Sequence, residues 1–300
     1  MEASLSVRLK LFPNAVKSFI RRMTFTKFIF GVLLAALLIF TAFPLVAMIN
    51  RAFMPLEELF IYPPRIIVRR PTMKNFTDLL TSLSASTVPF TRYIFNSVWI
   101  TLVSVSLSVV VSCLGAYGLV KHKPYGANAL FAIVLAGLMF SGHVTQIPNY
   151  MIVSGMGLMN SYSALIIPKI AVAYNFFLVK QFCEQLPDSL LEAARIDGAN
   201  ELTVFFKIAL PLLKPAWSTL AVFSFVSNWN DSFSPLVYIT SVQMKTLPLA
   251  LQTLAGGAGV VSRSGAVGAA SLLTTLPTII VYTVMRGRVM QTMTYSGIKS

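Results

Sequence analysis

Acidic side chains are scarce in this 300-residue chain: ten Asp and Glu stand against 24 Lys and Arg, a formal net charge of +14. Charged residues of both signs make up only 11% of the sequence, where a soluble domain carries about a quarter. That is too little charge to cover a water-facing surface, and an ordinary soluble protein is excluded. Cysteine is nearly missing. Cys113 falls inside an apolar run and Cys183 lies beside an acidic segment, so no disulfide framework is supported. Histidine occurs only as His122 and His143. No Cys or acid lies at ligand spacing from His143, which excludes a metal site, and His122, between Lys121 and Lys123, reads as a solvated surface residue. Gly-Lys-Ser and Gly-Lys-Thr triplets are absent, so there is no Walker A loop to bind ATP. The clustered His, Asp or Cys of a membrane-embedded enzyme and any nucleic-acid-reading motif are also lacking. The chain itself reads as neither an enzyme nor a nucleic-acid binder.

What the chain has is hydrocarbon. Apolar residues make up 56% of it and its mean hydropathy is +0.73. Six windows, at 28–50, 95–119, 129–151, 163–183, 216–240 and 267–286, approach or exceed the roughly 20 residues of a spanning helix. The first follows a basic stretch (Arg8, Lys10, Lys17, Arg21, Arg22, Lys27). It is too long for a signal-peptide core and no small-residue cleavage site closes it, so it reads as an uncleaved span. The expected fold class is all-α: a polytopic membrane protein with six transmembrane helices. With the N-terminus inside, the inner segments hold fifteen Lys and Arg and the outer segments eight, while Lys169 lies within a span. That bias places both termini in the cytoplasm. The expected organisation is a cytoplasmic tail over 1–27, a first span and outer loop over 28–94, a transmembrane core over 95–290 and a cytoplasmic tail over 291–300.

Two outer loops differ in character. The one at 51–94 contains Pro55, Pro63, Pro64, Pro71 and Pro89 and is expected to be irregular with short helical pieces. The one at 244–266 carries Ala255-Gly256-Gly257-Ala258-Gly259, a mobile Gly-rich tip or a plain connector.

Five of the ten acids (Glu184, Asp188, Glu192, Asp197, Glu201) crowd between positions 184 and 201, on the inner side between two apolar runs. Ser189 with Glu192 three residues on predicts a capping box. Leu190, Leu191, Ala193, Ala194 and Ile196 supply an apolar side to the helix that follows. Gly198 can take a left-handed backbone and turn the chain into a second helix carrying Leu202, Phe205, Phe206 and Ile208. Pro211 is expected to break that helix and Pro215 to open the next span. Two readings stay open on periodicity: an amphipathic connector lying on the membrane, with Glu192 capping its own helix, or a helix pair that docks into a soluble partner.

Polar and aromatic residues at membrane depth tend to face the bundle interior. His143, Gln146, Asn149, Tyr150, Tyr174, Asn175, Asn228, Trp229, Asn230 and Asp231 are the candidates for a substrate path, each equally open to a structural hydrogen-bonding role. Asp231 is the one acid in a span, which argues against an ion-coupled secondary transporter with its buried acids.

Glu192-Ala193-Ala194, Asp197-Gly198-Ala199, Ile208 and Leu210-Pro211, at this spacing and between a fourth and a fifth span, resemble the EAA signature of binding-protein-dependent ABC importer permeases. Asn96-Ser97, Ala116-Tyr117, Gly157-Leu158-Met159-Asn160, Trp229-Asn230 and Ser296-Gly297-Ile298-Lys299 are similar to the carbohydrate-uptake branch of that family, the maltose type in particular. Ser300 replaces a glycine often found last, and Ser141-Gly142-His143 sits where a more apolar stretch is common. The resemblance implies the type I ABC importer permease fold in the cytoplasmic (inner) membrane of a bacterium. It implies a second homologous permease, two ATPase subunits that bind ATP and Mg, an extracytoplasmic solute-binding protein and an oligosaccharide substrate, with no cofactor on this chain. Importers of the same architecture for peptides remain the alternative.

It also implies roles. Glu192, Ala193, Ala194, Asp197, Gly198, Ala199, Leu210 and Pro211, within segment 187–211, would couple to the ATPase, Glu192 pairing with a basic residue there. Leu254, Gly256, Gly257 and Gly259 would reach the binding protein, and Tyr295 to Ser300 would touch the ATPase. Trp229 with Asn228 and Asn230 would suit a sugar. The loop at 51–94, net positive by about three, suits uronate-containing oligosaccharides, and equally lipid headgroups or the binding protein.

Overall fold

The computed structural model describes residues 25–63, 65, 67–84, 88–256 and 264–297. Among them every regular element is helical. Helix α1 (Phe25–Phe53) is followed by α2 (Lys74–Ser84), α3 (Phe90–Tyr117), α4 (Ala127–Leu138), α5 (Gln146–Gly155), α6 (Tyr162–Ile166) and α7 (Ala173–Cys183). Then come α8 (Asp188–Ile196), α9 (Glu201–Val204), α10 (Lys214–Trp229), α11 (Phe233–Tyr238), α12 (Leu247–Gly256) and α13 (Ser264–Gly297).

Four stretches are long and apolar enough to cross a membrane: Phe28–Phe53, Phe90–His122, Tyr162–Cys183 and Ser264–Gly287. A fifth arises if Glu201–Leu212 and Lys214–Trp229, bent by 77°, count as one. Of the six spans expected from hydropathy, two are interrupted in the described residues. The third apolar run is two short helices, α4 and α5, separated by residues 139–145. There the Ser141 hydroxyl accepts from His143 N and Thr145 Oγ1 donates to the Gly142 carbonyl, local bonds that compete with the helix ladder. The fifth run stops at Trp229. Asn230 Nδ2 donates back to Val226 O, and Asp231 Oδ1 accepts from Ser234 N to open α11. Hydropathy averages over such breaks, because two or three polar residues barely lower the mean of a long apolar window.

Helix α13 packs against α1, α2 and α10, while α3 lies between α10 and α7. Close approach is set by small residues. Ser97, Thr101, Ser104, Ser108 and Ser112 form a buried stripe along one face of α3, letting neighbouring backbones near as small residues do in membranes. Gly268 of α13 meets α1 so tightly that an added Cβ would stand 2.8 Å from the Arg51 carbonyl oxygen. Backbone cannot swing aside, so Gly268→Val is expected to cost roughly 1–3 kcal/mol and to lower the thermal midpoint of the detergent-purified chain, read by scanning fluorimetry.

The bundle has two poles. At one, α8 and α9 pack with the ends of α3 and α7 on a core that includes Tyr117, Val179, Leu191, Val204, Phe205 and Leu213. At the other, α2, α12 and the start of α13 share a core of Leu79, Tyr93, Trp229, Leu251 and Ala269. The turn after α5 and the segment after α11 are joined there, with Asn160 Oδ1 accepting from Thr240 N and Ser241 N.

Candidate functional site

The first pole carries the elbow. Helix α8 begins after Pro187, which offers no side-chain cap, so the expected capping box does not form. Ser189 lies inside the helix, and Glu192 is exposed and makes no ion pair or hydrogen bond with the described residues. Its carboxylate is thus not spent on its own helix. The helix closes in a Schellman motif: Ala199 N donates to Ala194 O and Gly198 N to Arg195 O. Gly198 at φ +84° occupies the required left-handed position. Asn200, which the pattern reading passed over, caps α9 by accepting from Thr203 N at 2.8 Å. A π-turn over Phe205–Ala209 runs on into Leu210–Leu212. Pro211 therefore does not break this segment, contrary to expectation. The wide turn has already shifted the hydrogen-bond register, so the missing amide is accommodated, and the 77° bend falls at Leu213. Pro215 does sit in the first turn of α10.

Ion pairs hold the elbow to the bundle. Lys121, only 7% exposed at its side chain, reaches Asp188 Oδ1 at 2.8 Å and donates to Leu186 O. Arg195 grips Glu201 through Nε and Nη2 across the Gly198 turn. His122, exposed as expected, also has Nε2 3.4 Å from Glu201 Oε2 and so joins the elbow. The outward side presents Leu190, Ile196 (86% exposed) and Leu202 around Glu192 and Ala193, an apolar patch of the kind that marks an interaction surface.

Hydrogen bonding from Lys121 holds the Asp188 carboxyl below its ordinary 3.8, and Arg195 likewise holds Glu201 below 4.5. Both acids are favoured charged, so their stabilisation is full above the ordinary values and disappears as pH falls through the depressed ones. Protease access at the elbow, measured in nanodiscs, is expected to stay flat from about pH 8 to 5 and to rise only below about pH 4.

Between the poles lies a cavity of about 730 Å³. Three interruptions converge on it: Ser141, Gly142, His143 and Thr145 from the break after α4, Pro168, Lys169 and Val172 from the bend between α6 and α7, and Asp231 from the break after α10. Non-helical backbone at membrane depth is tolerated where it is buried in protein or lines a water-filled cavity. A 16-residue helix such as α10 rises only about 24 Å, short of the roughly 30 Å hydrocarbon layer, and its missing length is the Asp231 break itself.

Seven sequence candidates line this cavity: His143, Gln146, Asn149, Tyr174, Asn175, Asn228 and Asp231. Three do not. Trp229 is buried, stacks on Phe225 and donates Nε1–H to Thr274 O at 2.8 Å, which removes it as a sugar platform. Asn230 faces α13, with Nδ2 near Thr278 Oγ1. Tyr150 stacks on Tyr238, itself a lining residue. Asn175 also works structurally, donating to Ser108 Oγ and Ser224 Oγ and so linking α7 to α3 and α10. Lys169 was not among the candidates. Its Nζ lies 2.6 Å from Asp231 Oδ2, with side chains 19% and 16% exposed. Its signal in the sequence was a basic residue in the interior of an apolar run.

Leu254 and Gly256 fall in α12. Gly257 and Gly259 lie outside the described residues, as do positions 1–24 and 298–300 of the two tails.

Residues 79–294 match the family of binding-protein-dependent transport system inner membrane components. The arabinooligosaccharides transport system permease protein AraQ of Halalkalibacterium halodurans is 32% identical over 86% of this chain and 91% of its own. The polygalacturonan/rhamnogalacturonan transport system permease protein YtcP of Bacillus subtilis is 34% identical over 72% of each. Among solved structures, a bacterial ABC transporter involved in the import of the acidic polysaccharide alginate superposes with a TM-score of 0.77 at 22% identity. That match covers 88% of this chain and 98% of the other, and at such identity it shows the fold alone. The EAA-like elbow, the interrupted helices and these matches agree: the chain belongs to the binding-protein-dependent transport system inner membrane components, multi-pass permeases that act in transport and are not themselves catalytic enzymes.

Proposed function

We propose that this chain is one of two homologous permeases in an ATP-driven ABC importer that takes up carbohydrate, of oligosaccharide size, from an extracytoplasmic solute-binding protein. The observation that carries the proposal is the combination, in one chain, of a polar cavity at helix breaks with an exposed, unpaired Glu192 on a rigid elbow. Six crossings are read here, with α4 and α5 as two halves of the third and α10 and α11 as two halves of the fifth. Lys121, Lys123, Lys180, Arg195, Lys207 and Lys214 all belong to the elbow pole, which suits the cytoplasmic side of the inner membrane, with both termini there.

The mechanism follows from these parts. Two partner ATPase subunits bind ATP and Mg, and their closure displaces the elbow through Glu192 and its apolar rim. Arg195–Glu201 and Lys121–Asp188 make α8, α9 and the end of α3 move together. The motion passes through Leu213 into α10, whose far end is the cavity wall at Asn228 and Asp231. Alternate opening of the cavity to the two sides is then a rocking of α3, α7 and α10 as a packed unit. The names of the relatives favour saccharide cargo, and Gln146, Asn149 and Asn228 supply hydrogen-bonding groups for hydroxyls. Reconstituted with its partner permease, ATPase and binding protein, the complex is expected to hydrolyse ATP faster when an oligosaccharide-loaded binding protein is added. The absence of ATPase subunits from the native complex, or labelling of a cysteine at Asp197 from the outside of intact cells, would refute the reading.

A further inference from the structure

The largely buried Lys169–Asp231 pair ties the bend between α6 and α7 to the break after α10 at a desolvation cost. A charge at membrane depth is expensive even when paired, and Asn175 already crosslinks the same cavity wall with neutral hydrogen bonds to Ser108 and Ser224. Among the described residues, Lys169 and Asp231 are the only Lys, Arg, Asp or Glu lining the cavity, and both sit at helix interruptions. At 2.6 Å the Lys169 ammonium is in ion-pair contact with Asp231 Oδ2, and among the described residues that buried oxygen has no other partner. An ammonium has three donors, and Asp231 is the partner that Lys169 shows among the described residues. Asp231 is secured independently, since its Oδ1 accepts from Ser234 N at 3.0 Å. The ammonium, with further donors to offer, can therefore take up a second carboxylate in competition with Asp231, which stays in place on Ser234 N.

From this geometry we infer that the cavity admits a saccharide bearing a carboxylate, which exchanges with Asp231 at Lys169 Nζ, so that Asp231 is a stand-in for the anionic group of the cargo. The inference rests on the carbohydrate reading and narrows it to acidic oligosaccharides. Around the ammonium, Gln146 and Asn149 can meet hydroxyls, and the perpendicular rings of Tyr174 and Phe223, 6.2 Å apart, offer aromatic surface to a sugar face. In the empty cavity Asp231 balances the charge that the cargo would otherwise leave unpaired. A neutral sugar gives Lys169 no reason to let go.

The test is uptake by the complete complex with its binding protein in vesicles, comparing short oligouronates, matched neutral oligosaccharides and sn-glycerol 3-phosphate. The wild type is expected to take up oligouronates. Lys169→Gln is expected to lower the ratio of oligouronate to neutral-sugar uptake at least tenfold, Asp231→Asn to raise it by lowering the KM for oligouronate, and Lys169→Arg to keep it. If Lys169→Gln fails to assemble, Asp231→Asn decides alone, because a purely structural pair predicts no shift in the ratio. Equal effects on acidic and neutral sugars, or a response confined to the phosphate, would overturn the inference. A wild type that takes up neutral oligosaccharides only would also overturn it while leaving the carbohydrate reading intact; one that takes up no saccharide removes both.

Discussion

Gly198→Pro is expected to leave the chain inserted and the ATPase active while uptake in reconstituted vesicles falls by at least tenfold. Gly198 stands at φ +84°, and proline is locked near −65°. The substitution also deletes the amide that donates to Arg195 O in the Schellman closure. Loss of a helix cap alone costs about 1 kcal/mol, and the backbone conflict adds about 3 kcal/mol or more. The strain is local, because a Cβ added at Gly198 would meet nothing within 4 Å. The helices should therefore insert, but α8 and α9 lose their fixed angle. Glu192→Lys probes the same step without touching the fold, since that side chain is exposed and unpaired among the described residues. Hydrolysis that continues without uptake in both variants is the signature of broken coupling. Normal uptake in Gly198→Pro would mean that the elbow angle does not transmit motion.

The second large effect is expected from Phe205→Ala. Phe205 is 2% exposed, the largest of the fully buried side chains, and its ring lies 5.3 Å from that of Tyr117 at the end of α3. Removing a buried Phe costs about 3–5 kcal/mol through lost transfer energy and the cavity left behind. The loss falls at the junction of α9 with α3, so the elbow should loosen from the bundle while its outward surface stays intact. The expected result is a large drop in thermal midpoint of the purified complex, with uptake reduced at least tenfold at growth temperature. Phe206→Ala is the control. That neighbour is half exposed, and its truncation should shift the midpoint far less. Similar shifts for the two would show that the π-turn does not anchor the elbow.

Much of the elbow was legible in the sequence because its determinants are local. Gly198 must be left-handed where one helix closes at Ile196 and another opens at Glu201, and Glu192, Arg195 and Glu201 mark a wet surface between apolar runs. Where reading failed, the competing signal was also local but ambiguous. Ser189 had capping spacing, yet Pro187 took the cap position and drew Ser189 into the helix. Pro211 had a breaker's chemistry, yet the π-turn before it absorbed the missing amide. The basic loop at 51–94 pointed toward anions by composition alone, whereas Arg92 of that loop is occupied in bonding Gln243 O and Tyr162 Oη.

The all-helical, membrane-spanning class and the turn of the elbow follow from the chain read by itself, because hydropathy and turn chemistry act over a few to a few tens of residues. The cavity does not. Lys169 and Asp231 stand 62 positions apart, Trp229 and Asn228 are neighbours with opposite fates, and the breaks at 139–145, 170–172 and 230–232 come together only when α3, α7 and α10 pack. Which side chains meet across a bundle is decided by helix rotation and close approach at small residues such as Ser108 and Gly268, and that is a property of the packed whole.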